Sequence, residues 1–355
     1  MSETGARRTV MDIKAIQENK KEINLKSRGV EIVSPGPDHL PLVVSLASDS
    51  NDVAEWCARN LDWINAELLK VGAILFRGFA VQSVERFDEF TTTLFDERLS
   101  YDYRSTPRTV VGRNIYTATD YPPPVTIPQH NEEAYTRDWP MKLVFCCIRP
   151  AASGGQTPLA LTRNVTRKIP YDVADRFRDK GVLYVRNYHD HLDIPWSTVF
   201  QTEDKAKVEA YCLSHGIEFE WKPDGNLRTR QRAQSMARHP KTGDLLWFNQ
   251  AHLFHISGLE EQTREAMGNL FANEDLPRNA YFGDGSPIPV EDLEQIRSAF
   301  DTETVAFDWE PGDVLLLDNM LISHGRKPYR GERKVLAAMS EPYSSHRETE
   351  VVPAL

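Results

Sequence analysis

Three things are scarce in this chain, and each shortage excludes a class of protein. No run approaches the roughly 20 consecutive apolar residues needed to span a bilayer, so no membrane association is expected. No block of Lys or Arg offsets a net charge of -10, which argues against sequence-independent binding to nucleic acid. Cysteine is limited to Cys57, Cys146, Cys147 and Cys212, with no CxxC pair and two neighbours that cannot readily bridge each other. That spacing excludes a zinc ribbon, and reduced thiols are the expectation. The first 26 residues are polar and lack an apolar h-region, so a cytoplasmic protein without a secretory signal is expected.

What is present suits a soluble globular chain: 355 residues, 40% hydrophobic and 26% charged, enough to bury a sizeable core. Residues 1–35 read as a flexible extension ending in the turn-rich Ser34-Pro35-Gly36-Pro37, and 36–355 as a single domain. In its first part, 36–100, Ala54, Cys57, Leu61, Ile64 and Leu68 recur at helical spacing and predict a helix over 52–70. A short buried strand follows at 73–76, then a second helix over 84–95 carrying Phe87, Phe90, Leu94 and Phe95.

From 101 to 355 the texture changes to short apolar runs rich in β-formers, separated by Gly, Pro and Asp. Strands are expected at 142–148, 181–188, 217–221, 244–249, 304–309, 314–318 and 334–340. Helical patterns interrupt them at 172–180, 202–214, 260–271 and 290–300. Nothing repeats at a fixed period. The pattern predicts an α+β protein built on a curved antiparallel β-core with flanking and inserted helices.

The chemistry-bearing signal is Ile127-Pro128-Gln129-His130-Asn131-Glu132. In an extended chain His130 and Glu132 point to one side and can occupy adjacent corners of one metal. A strongly apolar strand over 314–317 then delivers Asp318-Asn319-Met320-Leu321-Ile322-Ser323-His324, for which a hydrogen-bonded histidine at a strand end is the plain alternative. Two histidines and one carboxylate on one face of an octahedral ion leave three positions open, which suits ferrous iron with a chelating co-substrate and O2. Arg333, after a Gly-containing loop, has the planar fork to clamp the distal carboxylate of a ketoacid, and Thr157 offers a hydroxyl to the same group. One arginine would neutralise the single negative charge left by Fe(II), one glutamate and a 2-oxoglutarate dianion.

These residues lie within a series of motifs. Gly72-Ala73-Ile74-Leu75-Phe76-Arg77-Gly78-Phe79, Ser105-Thr106-Pro107-Arg108-Thr109 and His130-Asn131-Glu132 come first. Gly154-Gly155-Gln156-Thr157, Trp247-Phe248-Asn249-Gln250, Asp318-Asn319 through His324-Gly325-Arg326, and Gly331-Glu332-Arg333-Lys334 follow. In that order the chain resembles the taurine dioxygenase/TfdA family of Fe(II)/2-oxoglutarate oxygenases, and within it the syringomycin-pathway aspartyl hydroxylase branch, from about Ala73 to Pro342. The resemblance implies a double-stranded β-helix (jelly-roll) fold, with His130, Glu132 and His324 as iron ligands and Arg333 and Thr157 on 2-oxoglutarate. It implies hydroxylation of an unactivated C–H, with O2 and 2-oxoglutarate consumed and succinate and CO2 released. Desaturation or cyclisation is an alternative outcome, whereas Glu132 stands where a halide would bind. Two departures are visible: Glu132 replaces an aspartate, and Ala337 replaces the arginine that anchors a sulfonate, so taurine is not expected as substrate. The branch implies instead an amino acid or amino-acid-derived small molecule, free or held on an amino-acyl carrier protein.

Other residues are candidates for the substrate pocket: Arg108 for a carboxylate, Asn249 and Gln250 for polar groups, and Thr126 and Asn131 as neighbours of the ligand strand. His189-Asp190-His191 has metal-like spacing but no second cluster to complete a hydrolase site, and a polar loop is the simpler account. His252 and His255 read as supporting or packing histidines. The rival class is a non-redox metal protein, a hydrolase, isomerase or inactive scaffold, for which Arg333 and Thr157 have no use.

Overall fold

The computed structural model describes residues 30–33, 40–46, 53–101, 103, 106, 108–189 and 194–345. Of the extension expected over 1–35, only Val30–Val33 is described, as a strand paired with Leu42–Leu46; the turn at 34–37 lies outside the described residues.

Alternating burial builds the central sheet. In the strand Asp138–Arg149, Leu143, Phe145 and Cys147 enter one core cluster, while Val144 and Cys146 enter another on the opposite face. Val314–Asp318 divides in the same way, Leu315 and Leu317 against Val314 and Leu316. So does Lys334–Ser344, with Val335, Ala337 and Met339 against Leu336 and Ala338. A strand covered on both faces reads as an unbroken apolar run because successive side chains point to opposite sides. These strands sit inside an eight-stranded sheet ordered Val30–Val33, Leu42–Leu46, Ala73–Arg77, Val314–Asp318, Asp138–Arg149, Lys334–Ser344, Ile115–Thr117 and Val110–Gly112. Among the described residues its one parallel pairing is Leu42–Leu46 beside Ala73–Arg77.

One face of this sheet is covered by the helices Val53–Val71 and Val84–Leu94, through Trp56, Cys57, Ile64, Leu68, Phe87 and Phe90. On the other side lies a three-stranded antiparallel sheet, Ile127–His130, Ile322–Arg326 and Leu159–Leu161. Leu159 and Ile322 of that sheet share a core cluster with Leu143 and Phe145. A four-stranded sheet, Glu218–Trp221, Leu227–Ala233, Val182–Tyr188 and Arg278–Phe282, packs with the helices Tyr171–Lys180, Lys205–Ser214 and Val290–Glu303 around a third cluster. The result is a mixed α and β fold. All four cysteines are buried and free. No helix among the described residues is long and apolar enough to cross a membrane.

One expectation needs correction. The strand expected at 304–309 is a single bridge, Val305 to Leu159. Its alternation is real, since Val305, Phe307 and Trp309 all pack against the core, but no ladder forms along it. Conversely, Leu227–Ala233 is a strand that hydrophobic patterning missed, because Arg228, Arg230 and Arg232 interrupt it.

Candidate metal centre and co-substrate pocket

Strand pairing brings the two histidines together. His130, at the end of Ile127–His130, is in register with His324 in Ile322–Arg326, and their rings stand 4.5 Å apart at 44°. Glu132 follows two residues on, and one ligating atom from each of the three side chains lies within 4.8 Å of the others. His130 Nδ1 is 2.9 Å from the Pro128 carbonyl and donates to it, which leaves Nε2 as the lone-pair nitrogen. His324 Nδ1 is buried with no hydrogen-bond partner among the described residues. Burial pushes both imidazoles down, His324 well below the ordinary histidine value. Neutral imidazoles beside a carboxylate are the protonation state that metal ligation requires, so the three side chains fit a divalent cation.

Glu132 is fixed from both ends. Its carboxylate Oε2 accepts from Arg108 Nη2 at 2.5 Å, and both side chains are 3% exposed. Burial alone would lower the Arg108 value, but the Glu132 charge overrides it and holds the guanidinium protonated. Arg108 also lies over the Tyr101 ring, 4.6 Å from its centroid, and its buried Nε has no hydrogen-bond partner among the described residues.

Arg108, His130, Phe145, Thr157, His324, Arg326 and Arg333 line one cavity of about 30 Å³. Arg333 Nε donates to the Gly155 carbonyl at 3.1 Å. Burial, aided by Arg326, lowers its pKa to about 10, so it stays charged at neutral pH. Thr157 is buried, and its Oγ1 accepts from Trp309 Nε1 at 3.1 Å, leaving the hydroxyl proton to donate. Arg326 donates from Nη1 to the Tyr121 carbonyl and from Nη2 to those of Pro122 and Val125, gathering the loop before His130. Neither Arg326 nor Arg333 meets a carboxylate among the described residues. A larger cavity of about 380 Å³, lined by Tyr103, Glu133, Trp139 and Tyr211, contains none of the three candidate ligands.

The remaining candidates are placed differently. Thr126 is exposed on the loop ahead of the strand. Asn131 Nδ2 donates to the carbonyls of Asn319 and Ile322. Asn249 donates to the Ser235 carbonyl and accepts from Ala251 N–H, and Gln250 Nε2 donates to the Asn131 carbonyl. These amides are engaged with the backbone. His252 Nε2 donates to the Gln129 carbonyl and its ring stacks on Phe300, supporting the ligand strand from behind. His255 Nδ1 accepts from Ser257 N–H. His189 packs against Phe271, while Asp190 and His191 lie outside the described residues. Residue-by-residue reading missed Trp309, Asn319 and the grip of Arg326. The last two stand inside the quoted motifs, but their partners are far away in sequence.

The model of the family described as "Taurine catabolism dioxygenase TauD, TfdA family" matches residues 39–339. The chain belongs to this family. It is therefore an oxygenase dependent on Fe(II), 2-oxoglutarate and O2, and the hydrolase and isomerase readings fall away. Among relatives of this family, the dapdiamide synthesis protein DdaC of Enterobacter agglomerans is 39% identical over 323 residues, 91% of this chain and 97% of that protein. A clavaminate synthase-like protein of Arabidopsis thaliana is 31% identical over 288 residues, 78% of this chain and 84% of that one. The fold is similar to that of PvcB from Pseudomonas aeruginosa, with a TM-score of 0.51 at 17% identity over 88% of this chain and 91% of PvcB.

Proposed function

We propose that residues 36–355 form one jelly-roll oxygenase domain in which His130, Glu132 and His324 hold the iron. Arg333 and Thr157 receive the distal carboxylate of 2-oxoglutarate, and the reaction is hydroxylation of an amino acid or amino-acid-derived metabolite. The observation that carries this is the convergence of His130, His324, Arg333 and Thr157 around one cavity, with Glu132 completing the three-residue cluster beside the two histidines. When bound, iron and 2-oxoglutarate supply the oxidising power for an unactivated C–H. The protein's own share is geometric and electrostatic. The strand pairing sets the histidine spacing, the Pro128 carbonyl fixes the His130 tautomer, and Trp309 orients the Thr157 hydroxyl. Arg333 is charged, partly buried and without a carboxylate partner among the described residues, which favours an arriving dianion.

The same bookkeeping favours an anionic substrate. Once Arg333 is committed to the co-substrate, Arg108 and Arg326 still face the cavity. We assign Arg108, whose Nε has no partner among the described residues, to a substrate carboxylate. The involvement of the relative DdaC in dapdiamide synthesis supports an amino-acid-derived molecule, free or on a carrier protein. Ala337, 2% exposed within the core, places no charge where taurine would need one. The test is an anaerobic mixture of protein, Fe(II), 2-oxoglutarate and a panel of amino acids to which O2 is admitted. Substrate-dependent succinate above a His130→Ala control is expected; its absence across the panel would sink the proposal.

A further inference from the structure

Glu132 is held by one side-chain amide at two points. Asn319 Oδ1 accepts from Glu132 N–H at 2.8 Å, and Asn319 Nδ2 donates to the Glu132 carbonyl at 2.9 Å. The amide thus copies the double hydrogen bond that a paired strand residue would make. A further bond from Nδ2 to the Pro140 carbonyl at 2.8 Å fixes the amide plane, and Asn319 is completely buried. The grip is returned: Asn131 Nδ2 donates to the Asn319 carbonyl at 2.6 Å.

The turn that carries Asn319 is itself braced. Asp318 Oδ1 accepts from Met320 N–H and Leu321 N–H, and His239 Nε2 donates to Asp318 Oδ2 at 3.0 Å. His239 Nδ1 accepts from Lys241 N–H and Thr242 N–H, so the proton must sit on Nε2. His239 and Asp318 are 0% and 5% exposed, so this brace is shielded from water.

We infer that Asn319 is a positioning residue for the metal centre, acting through Glu132, with Asp318 and His239 as its foundation. His130 is tied to His324 by strand pairing, but Glu132 lies past the end of that strand and has no ladder of its own. Asn319 supplies the missing pairing. It also stands five residues before His324, so one turn sets both the carboxylate and the second histidine relative to the first. Groups that orient ligands in this way are worth about 10–100-fold in metal affinity.

The inference rests on the metal reading above, and the experiment separates the two. Co(II) is titrated into the wild type, His130→Ala, Asn319→Ala and Asn319→Asp, with binding read from the ligand-field spectrum. Asn187→Ala is the control: this buried amide also ties two carbonyls, those of Glu274 and Leu276, in another sheet. Expected are a loss of about 10–100-fold in Co(II) affinity and an altered band shape for both Asn319 variants. Asn187→Ala should lose stability yet bind like the wild type. Asn319→Asp keeps the acceptor for Glu132 N–H but loses both donors, and it carries the test if Asn319→Ala does not fold. Should neither fold, Asn131→Ala removes the reciprocal grip and should weaken Co(II) several-fold. Folded variants at these positions that bind within twofold of wild type overturn the inference alone. Equal binding by wild type and His130→Ala overturns the metal reading, and the inference with it.

Discussion

Arg108, on the wall of the cavity that both histidines line, forms a buried ion pair with Glu132, Nη2 to Oε2 at 2.5 Å. Removing one member strands the other charge in a dry setting, which typically costs about 3–5 kcal/mol. Arg108→Met should therefore lower the unfolding free energy by about that amount, measured with urea in metal-free buffer. Arg108→Lys should recover part of the stability. If Arg108 serves a substrate carboxylate, the lysine variant should still lose substrate affinity, because its point charge cannot fork.

The co-substrate side is sensitive to a missing side chain. Gly155 has φ +73°, and a Cβ there would lie 3.1 Å from Arg333 Cδ and 3.2 Å from its Nε. Gly155→Ala should push Arg333 aside and raise the KM for 2-oxoglutarate about tenfold, the equivalent of about 1.4 kcal/mol. Gly225→Ala carries the same kind of backbone strain at φ +87° with no neighbour within 4 Å. It should leave that KM unchanged, and a matching rise there would refute the steric account.

Trp309 offers a milder perturbation. Trp309→Phe removes the donor to Thr157 Oγ1 and lets the hydroxyl rotate. A net hydrogen bond of about 0.5–1.5 kcal/mol predicts a 2-oxoglutarate KM raised roughly two- to twelvefold, with kcat little changed. Initial-rate kinetics at saturating O2 would show the split.

Which of this the sequence already disclosed depends on the range of the interaction. His130 and Glu132 were legible as a pair because strand alternation is local, and the three apolar strands of the large sheet were legible because burial on both faces leaves an unbroken run. The Arg108–Glu132 pair spans 24 positions and the Asn319–Glu132 grip 187, and no periodicity encodes either. The alternation of Val305, Phe307 and Trp309 signalled burial correctly but not pairing, because the same period serves an extended segment with no neighbour to bond. Asn249 and Gln250 looked available for substrate because sequence does not show which amides the backbone has already claimed.

Acid should destabilise the protein through His252. Burial lowers its pKa from 6.5 to about 4. Between those values the unfolded chain binds a proton that the native state refuses, so stability rises with pH across the window and falls as acid is added. The contribution lost by pH 4 is up to about 3 kcal/mol. His255, lowered to about 4 by burial, acts in the same direction. Urea midpoints measured from pH 7 to pH 4 should decline, and His252→Gln should show a shallower slope.

Arg326 holds the carbonyls of Tyr121, Pro122 and Val125, while the side chains of Asp120 and of residues 122–126 are exposed. Apart from Asp120, whose carboxylate accepts from the hydroxyls of Thr109 and Thr117, the path of this loop is thus dictated from outside, by a residue two positions from His324. Such a segment is open to change: its lettering can drift under selection, or be shuffled in a library, without disturbing the strand that carries His324. New preferences at the rim of the cavity could accumulate while the oxidising centre beneath is inherited intact.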